Sequence, residues 1–524
     1  MLEGQFMSKT MSKIKGDTDL FFTTHRLGYG LRAEDYEPLF KQGHKAWLEE
    51  QLAAPVEDEA PVKSRLDTCK LPIKYAAVEG KWPTMDELRP LSSLSKPIEE
   101  LWPLFDPQKP VSGAERARPR TEVIAATLLR SVYSRYQLKE VISQFWHDHF
   151  HVNAFSDERI SVALPVYDRD VIRKNCFGNF RVLLEAVATS TAMQFYLSNY
   201  SSRAGAANEN YARELLELHT FGRENYLNDN FNRWREVPGA LKGKPIGYID
   251  QDVYEVARAF TGWTIAETGR FNYVDRWHDG YQKRILATEL APFAPAMADG
   301  REVLDLIAAH PATAQHIATK LCIRLVGENP PASLITRAAA TWQSSHQAPD
   351  QIAKVLRLII ESPEFMQSRG AKIKRPIALM ANYVRVMGFD FTPSEGLINQ
   401  LTNAGQRLFG ATTPVGLPDE NAIFLGTNTL RHRWALLLGL AQNQWGTGTP
   451  NLAATFTAWK AIPGNGTETI TELFRLMGNS ADSKTIETVT MAAGLLPFAP
   501  PVGKEKNLIL ASAIAAMSPD FQFC

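Results

Sequence analysis

The sequence predicts an all-α protein, a large multi-helix domain with long connecting loops and little β structure. Apolar residues recur mainly at helical spacing, and alternating apolar–polar runs are few and short. Hydrophobic residues make up 44% of the 524-residue chain and charged residues 22%, as in ordinary folded proteins. At about 100–200 residues per domain, the length allows two or three domains.

The first strong helical pattern begins at Leu138, where apolar residues fall at i, i+3, i+4, i+7 and i+8. Proline pushes the residue before it out of the α region, so we expect helices to stop at Ser362-Pro363 and Ser518-Pro519. The later segments with helical spacing are residues 173–187, 211–218, 253–260, 314–325, 352–360, 377–387 and 433–440.

We divide the chain into a flexible N-terminus over residues 1–20, an N-terminal helical region over residues 21–300 and a C-terminal helical region over residues 301–524. The motif segments lie in the N-terminal region. Residues 226–248 interrupt two strong helical segments and contain two prolines and three glycines. A loop of this kind is either a binding loop or lid, or a surface insertion.

Charge and cysteine content exclude several classes of protein. The 57 basic residues balance the 57 acidic ones, so no net field favours nucleic acid and we expect no nucleic-acid partner. The four cysteines form no CxxC pair, which disfavours a thiolate zinc site or a disulfide framework. The sequence predicts neither an export signal nor a membrane span, so a cytoplasmic location is expected.

The densest polar segment covers residues 208–218. At 100° per residue, one face of this predicted helix carries Glu209, Asn210, Arg213, Glu214 and Glu217. Glu209 and Glu217 are each four residues from Arg213, so an ion-paired surface is the alternative to a functional face.

A second polar segment contains His147, Asp148, His149 and His151. His149 continues the apolar stripe of its predicted helix and should face inward, whereas His147 should point away. An inward histidine is either a hydrogen-bonded core residue or a ligand. The helical metal spacings HExxH and ExxH are absent here, so the metal signal is weak.

A third segment covers residues 249–263. Asp250 is predicted as the N-cap of a helix, with Asp252 in its first turn and Gly262 as its stop. Trp263 follows the stop, and a second aromatic and acidic cluster follows at residues 277–281. Packing alone explains these last two features less easily.

Several short sequence motifs occur in a recognisable order. They are Ala46-Trp47-Leu48, Phe145-Trp146, His149-Phe150, Asn208-Glu209-Asn210-Tyr211-Ala212-Arg213-Glu214, Phe260-Thr261-Gly262-Trp263, His278-Asp279, His310-Pro311 and Lys320-Leu321. Together they resemble the large bacterial family called domain of unknown function 1800, from about residue 20 to the end of the chain. The resemblance implies a large helical domain without a settled activity. Many members are exported, so it leaves a periplasmic location open.

The first functional hypothesis is a hydrolase that acts on a carbohydrate or similar polyhydroxylated substrate, that is, a glycoside hydrolase. Such enzymes use a pair of carboxylates, and this reading requires no cofactor and a small-molecule or oligosaccharide substrate. The candidate catalytic residues are Glu209, Glu214, Asp148, Asp252 and Asp279. The candidate substrate-binding residues are Asn208, Asn210, Tyr211, Arg213, Trp146, Trp263, Trp277 and His278.

Two alternatives come from other classes. One is a metal-dependent oxidoreductase or hydrolase with His149 and Glu217 as ligands, a donor set that suits zinc, iron or manganese. The other is a non-catalytic helical binding or assembly protein with a protein partner, in which Arg213 bridges Glu209 and Glu217 and so helps to hold the helices together.

Packing of the three amphipathic segments leads to a geometric prediction. Burying charges on separate faces costs several kcal/mol per unpaired charge, so we expect the polar groups to share one pocket, partly closed by residues 226–248. Its predicted members are His149, Glu209, Arg213, Glu214 and either His278 or Asp279.

Overall fold

A computed structural model describes residues 19–458, 464–478 and 481–524. It confirms the all-α prediction, because its described strands form only three two-stranded antiparallel sheets. Most of the predicted flexible N-terminus lies outside the described residues. None of the described helices is long and apolar enough to cross a membrane.

The N-terminal part of the chain contains helices of very different lengths. The α-helices are residues 19–26, Ala33–Gln42, His44–Leu52, Ala60–Thr68, Ile98–Leu101, Gly113–Tyr133, Gln137–His149, Glu158–Val166, Phe180–Ala188, Thr191–Tyr196, Glu209–Glu217 and Asp250–Ala259. A π-helix covers Tyr167–Arg173. Short 3-10 helices cover Trp102–Phe105, Asn199–Ser201, Arg223–Asn225, Asn228–Asn230, Trp234–Glu236, Ala240–Lys242 and Asp275–Trp277.

The C-terminal part is a succession of helices. They are Ala298–Ala308, Pro311–Leu325, Ala332–Ser344, Gln351–Ile360, Pro363–Gln367, Pro376–Val386, Glu395–Asn403, Ala422–Leu425, Thr427–Ala441, Leu452–Ala458, Gly466–Leu476, Ser483–Ala492, Glu505–Met517 and Pro519–Gln522. The strand pairs are Lys70–Tyr75 with Met85–Pro90, Trp263–Ile265 with Phe271–Tyr273, and Lys283–Ile285 with Thr288–Leu290.

The predicted helix over residues 173–187 is divided in the structure. The π-helix ends at Arg173, and a new helix starts at Phe180 because the Asn179 side chain accepts a hydrogen bond from the backbone N–H of Arg181 at 3.0 Å. Both proline stops are confirmed. Ser362 accepts from the N–H of Phe365 and begins a new short helix instead of continuing the old one.

One hydrophobic core extends from Leu20 to Phe521 and includes residues from both predicted regions. Phe180, for example, meets Trp342 edge-on with ring centroids 5.0 Å apart. The core is therefore continuous across residue 300, and the division of the chain at that residue stays a prediction.

A turn at Gly416 touches the end of the Gln137–His149 helix. Gly416 has φ +76°, and a Cβ atom at this position would collide with the backbone of Asp148. Only glycine allows both this backbone conformation and this close approach. The turn thereby fixes the position of the segment that follows it against Asp148.

We expect Gly416→Ala to lower the free energy of unfolding by roughly 2–4 kcal/mol, because it adds a steric collision to the cost of a left-handed backbone. Gly243→Ala is the matched control, since Gly243 also has a positive φ, +65°, with no neighbouring atom within 4 Å of its added Cβ. Urea unfolding of both variants measures the difference. If both variants lose the same free energy of unfolding, Gly416 is not in tight contact with the backbone of Asp148.

Candidate functional site

The Glu209–Glu217 helix begins at Asn208, whose side chain accepts a hydrogen bond from the N–H of Asn210 at 2.9 Å. The same side chain donates to the carbonyl of Ser198, and the Asn210 amide donates to the carbonyl of Leu197. Both asparagines, predicted to bind substrate, therefore anchor the start of the helix.

Arg213 and Glu209 form the outer part of the charged face. The Arg213 guanidinium lies 3.4 Å from Asp250 and 3.8 Å from Glu209, and its carbon lies 5.8 Å from the centroid of the Tyr226 ring. Among the described contacts, Arg213 has no ion pair with Glu217, so its predicted bridge between the two glutamates is wrong. Arg213 instead joins this helix to the start of the next one.

Glu214 and Glu217 form the inner part of the same face. Both side chains are half-buried, and neither carboxylate has a hydrogen-bond or ion-pair partner among the described residues. Burial, and then the charge of Glu217, raise the pKa of Glu214 above its usual value, although Arg213 opposes this. Glu214 also raises the pKa of Tyr196, which burial and this charge bring to about 12.

His149 is completely buried beside the end of this helix. Its Nε2 lies 3.1 Å from the carbonyl oxygen of His219, and the N–H of His219 bonds to the carbonyl of Glu214 at 3.1 Å. Two hydrogen bonds thus connect His149 and Glu214 through one residue. His149 therefore lies near the backbone of Glu214, and the pocket that the two residues were expected to share stays a prediction.

Three histidines and one lysine gather at this point. The ring of His149 lies 6.1 Å from that of His219 and 6.2 Å from that of His316. The Nδ1 atoms of His149 and His219 are buried and have no hydrogen-bond partner in the described part of the chain. Burial, and then the charge of Lys320, lower the pKa of His149 and bring that of His219 to about 3. Both rings are therefore neutral at neutral pH.

Sequence reasoning about chemistry missed His219, His316 and Lys320. Burial lowers the pKa of Lys320 to about 8 despite the attraction of Asp419 and Asp148. The spacing of His316 and Lys320, four residues apart in a predicted helix, was the available signal.

Asp148 does not face Glu214 as a free carboxylate. It forms an ion pair with Arg375, and Arg375 also lies 2.9 Å from Asp419. Because a permanently charged guanidinium holds it, Asp148 is a structural anion and its predicted catalytic role is not supported.

His147 is likewise placed differently from the prediction. It is buried, and its Nε2 lies 2.9 Å from Asp168 on the π-helix, whereas the helical pattern predicted that it points away from the core. His151 contacts the carbonyl of Ala411 through its Nε2 at 3.0 Å.

Asp252, rather than Asp250, caps the third segment. The Asp252 carboxylate accepts hydrogen bonds from the N–H groups of Ile249 at 3.0 Å and Leu286 at 2.8 Å. Asp250 pairs instead with Arg213 and accepts a 2.6 Å hydrogen bond from Tyr226. Burial raises the pKa of Asp252 to about 6 despite these backbone donors.

His278 and Asp279 belong to a separate charged cluster. Arg258 binds the Asp279 carboxylate with two hydrogen bonds of 2.7 and 3.0 Å. His278 lies 3.2 Å from Asp299, which also forms a 2.5 Å ion pair with the buried Lys283. No described contact joins this cluster to His149 or Glu214, so the predicted membership of His278 or Asp279 in their pocket is not supported.

The aromatic residues chosen for sugar stacking are mostly in the core. Trp146, Trp263 and Tyr211 are 0–1% exposed, and the Trp146 indole donates to the carbonyl of Cys176 at 2.9 Å. Complete burial is at odds with a stacking role. Trp277 remains partly exposed, with the Arg203 guanidinium 4.2 Å from its ring centroid.

Residues 226–248 form a loop with closed ends. Tyr226 and Tyr248 pair as an isolated parallel bridge, and their rings stack at 5.2 Å. The charge of Glu217 adds to burial in raising the pKa of Tyr248, so the base of the loop borders the inner carboxylates. Five of the cavities among the described residues, with volumes of about 50–820 Å³, are lined by none of the predicted site residues.

Within the described ranges, no group of three or more His, Cys, Asp or Glu side chains is arranged to hold a metal ion. The predicted ligand His149 already uses Nε2 for the carbonyl of His219, and Glu217 is not among its hydrogen-bond partners. The donor set of the metal hypothesis is therefore not assembled.

Comparison with protein families gives a match over residues 23–523 to the family described as "Protein of unknown function (DUF1800)". The chain belongs to this family. The match covers nearly the whole sequence and confirms the family resemblance that its short sequence motifs indicated. No curated protein and no solved structure matches the chain.

In this DUF1800 protein we expect Asp279→Asn to lower the free energy of unfolding and Glu214→Gln not to lower it. Asp279→Asn breaks a largely buried pair with Arg258 and should cost roughly 2–4 kcal/mol. Glu214→Gln removes an unpaired charge and should leave stability unchanged or higher at pH 7.

Any increase in the free energy of unfolding caused by Glu214→Gln should become smaller as the pH falls. The pKa of Glu214 is higher in the folded chain, so the cost of its ionised form disappears as pH falls through that pKa. Chemical denaturation at pH 7 and roughly pH 4 tests this. A large loss in the Gln variant at pH 7 would show that Glu214 is a structural anion.

Asp252 predicts a second pH effect. Its folded-state pKa of about 6 exceeds the unfolded value of about 3.9, so its ionised form costs stability above pH 6. We compare the free energy of unfolding of the wild-type DUF1800 chain with that of Asp252→Asn at each pH. The difference, wild type minus variant, should be larger at pH 5 than at pH 8 by roughly 1–3 kcal/mol. Unfolding curves at both pH values measure this, and the opposite sign would show that the helix start favours the ionised carboxylate.

Proposed function

We propose that this protein is a hydrolase that acts on a carbohydrate or similar polyhydroxylated substrate, with Glu214 as its proton donor. The state of the Glu214 carboxyl group carries the proposal. It is half-buried, has a raised pKa and lacks a partner among the described residues. A carboxyl group with a raised pKa keeps its proton to a higher pH than an ordinary glutamate, and such a group can protonate a leaving oxygen.

Glu217 supplies the second carboxylate. It lies three residues further along the same helix, a spacing that places the two Cβ atoms about 5–6 Å apart. Carboxyl groups in glycoside hydrolases are about 5–9.5 Å apart. The four other candidates already have partners. Arg213 pairs with Glu209, Arg375 with Asp148 and Arg258 with Asp279, and backbone N–H groups bind Asp252.

The roles of the two residues differ because their surroundings differ. Glu217 acts as the base or nucleophile, and its charge adds to burial in raising the pKa of Glu214. Tyr196 lies beside Glu214 and is only partly buried, so it offers an aromatic surface to a sugar ring. The proposed step requires no cofactor.

Sugar release from soluble polysaccharides and from 4-nitrophenyl glycosides tests the proposal. We expect Glu214→Gln to lower kcat on the polysaccharides by about 10²–10⁴-fold, the usual contribution of a general acid. The loss should be much smaller with 4-nitrophenyl leaving groups, which depart without protonation.

Glu209→Gln is the matched control, since Glu209 lies on the same helix but half of its side chain is exposed, at 51%, and its ion pair with Arg213 is 3.8 Å long. This variant should retain wild-type rates. The proposal fails if Glu214→Gln hydrolyses the same polysaccharide at the wild-type rate, or if the wild-type protein releases no sugar from any member of the panel.

A further inference from the structure

A cavity of about 50 Å³ has a strong excess of positive charge. It lies between the end of the Pro311–Leu325 helix and the start of the Pro376–Val386 helix. The only acidic side chain among its lining residues is that of Asp419. Its basic lining residues, apart from His25, are Arg26, Arg324, Lys372, Lys374 and Arg375.

Asp419 does not neutralise this charge. Its carboxylate lies 2.9 Å from Arg324, 2.9 Å from Arg375 and 3.6 Å from Lys372. Asp148 provides a second anion, but only on the far side of Arg375. Three cations thus share two carboxylates. Arg26 donates to the main-chain oxygen of Cys524, which also lines the cavity, and neither Arg26 nor Lys374 forms an ion pair with an acidic side chain of the described chain.

Several donors of the lining residues are unused. The Arg324 side chain is 9% exposed, and only its Nη1 has a hydrogen-bond partner among the described residues. Its Nε and Nη2 are therefore available. The Nε atoms of Arg26 and Arg375 are buried without a partner as well. Buried donors of charged groups are costly to leave unpaired, so the two buried Nε atoms, on residues that line the cavity beside the free donors of Arg324, favour an acceptor there.

Lys372 and Lys374 also have too little negative charge near them to balance their own. Burial lowers the pKa of Lys372 to about 8 despite the attraction of Asp419, and burial lowers that of Lys374 to about 7 despite the attraction of Cys524. The Lys374 ammonium group donates to Asn382 and lies 3.7 Å from the centroid of the Phe521 ring, which are both uncharged groups.

We propose that this cavity binds one small inorganic oxyanion of the phosphate or sulfate class. Planar guanidinium groups match the geometry of such anions, and Arg324 offers two adjacent free donors. The space is sufficient for one small anion, because a single water already fits in about 10–15 Å³. The site is independent of the proposed hydrolase chemistry, since none of its lining residues takes part in that chemistry.

Isothermal titration with inorganic phosphate, sulfate, acetate and chloride tests the site on the full chain at constant ionic strength. We expect saturable one-to-one binding of phosphate or sulfate. Acetate and chloride should bind at least tenfold more weakly. Saturation separates this binding from the general stabilising effect of these salts. Absence of saturable binding of both oxyanions to the wild-type protein overturns the proposal.

Arg324→Gln should weaken phosphate binding at least tenfold, because it removes the free donors while Asp419 keeps Lys372 and Arg375. Arg337→Gln is the matched control, since Arg337 is an exposed arginine of the following helix that pairs only with Glu364. It should bind phosphate as the wild type does. Unchanged affinity in Arg324→Gln contradicts the assignment of the site.

If Arg324→Gln does not fold, Ala378→Glu provides the second test. Ala378 lines the cavity, and a glutamate there places a carboxylate among the cations. The variant should melt at a higher temperature than the wild type in anion-free buffer and should no longer bind phosphate. Retention of phosphate binding by this variant would place the anion elsewhere and overturn the proposal.

Discussion

The ion pair between Asp148 and Arg375 is the interaction on which the arrangement of the site depends. It joins the end of the Gln137–His149 helix to the start of the Pro376–Val386 helix, and Asp419 extends it to Arg324 on the Pro311–Leu325 helix. Because each of these charges is largely buried, removing one would leave its partner uncompensated at a cost of several kcal/mol. The pair also fixes Asp148, whose neighbour His149 reaches the end of the Glu209–Glu217 helix.

The charged face of the Glu209–Glu217 helix has two parts with different physical roles. Arg213 pairs with Glu209 and with Asp250, and the second contact helps to hold the next helix in place. Glu214 and Glu217 lie further along, where the chain turns into the core, and they have no partner among the described contacts. Partial burial without a partner is unfavourable for a structural carboxylate, and it is the state in which a carboxyl group keeps a proton.

Local patterns were sufficient to predict the helices and part of the site. The inward position of His149 and its proximity to Glu214 followed from apolar spacing, because residues on one stripe of a helix must face the core. Apolar spacing did not reveal the partners of Asp148, Asp252 and Asp279. Asp148 pairs with a residue 227 positions away, and Asp252 accepts from a backbone group 34 positions away. No local pattern reveals such partners.

The sequence by itself determined the helical class, the positions of the proline stops and the membership of the DUF1800 family, since these depend on neighbouring residues and on recurring phrases. The tertiary structure alone decided which carboxylates are neutralised and which remain free. It also brought His219, His316 and Lys320 around His149, and basic residues from distant segments around one cavity. The physical reason is that burial and charge pairing depend on distances in space, and folding brings together groups that are hundreds of residues apart in the chain.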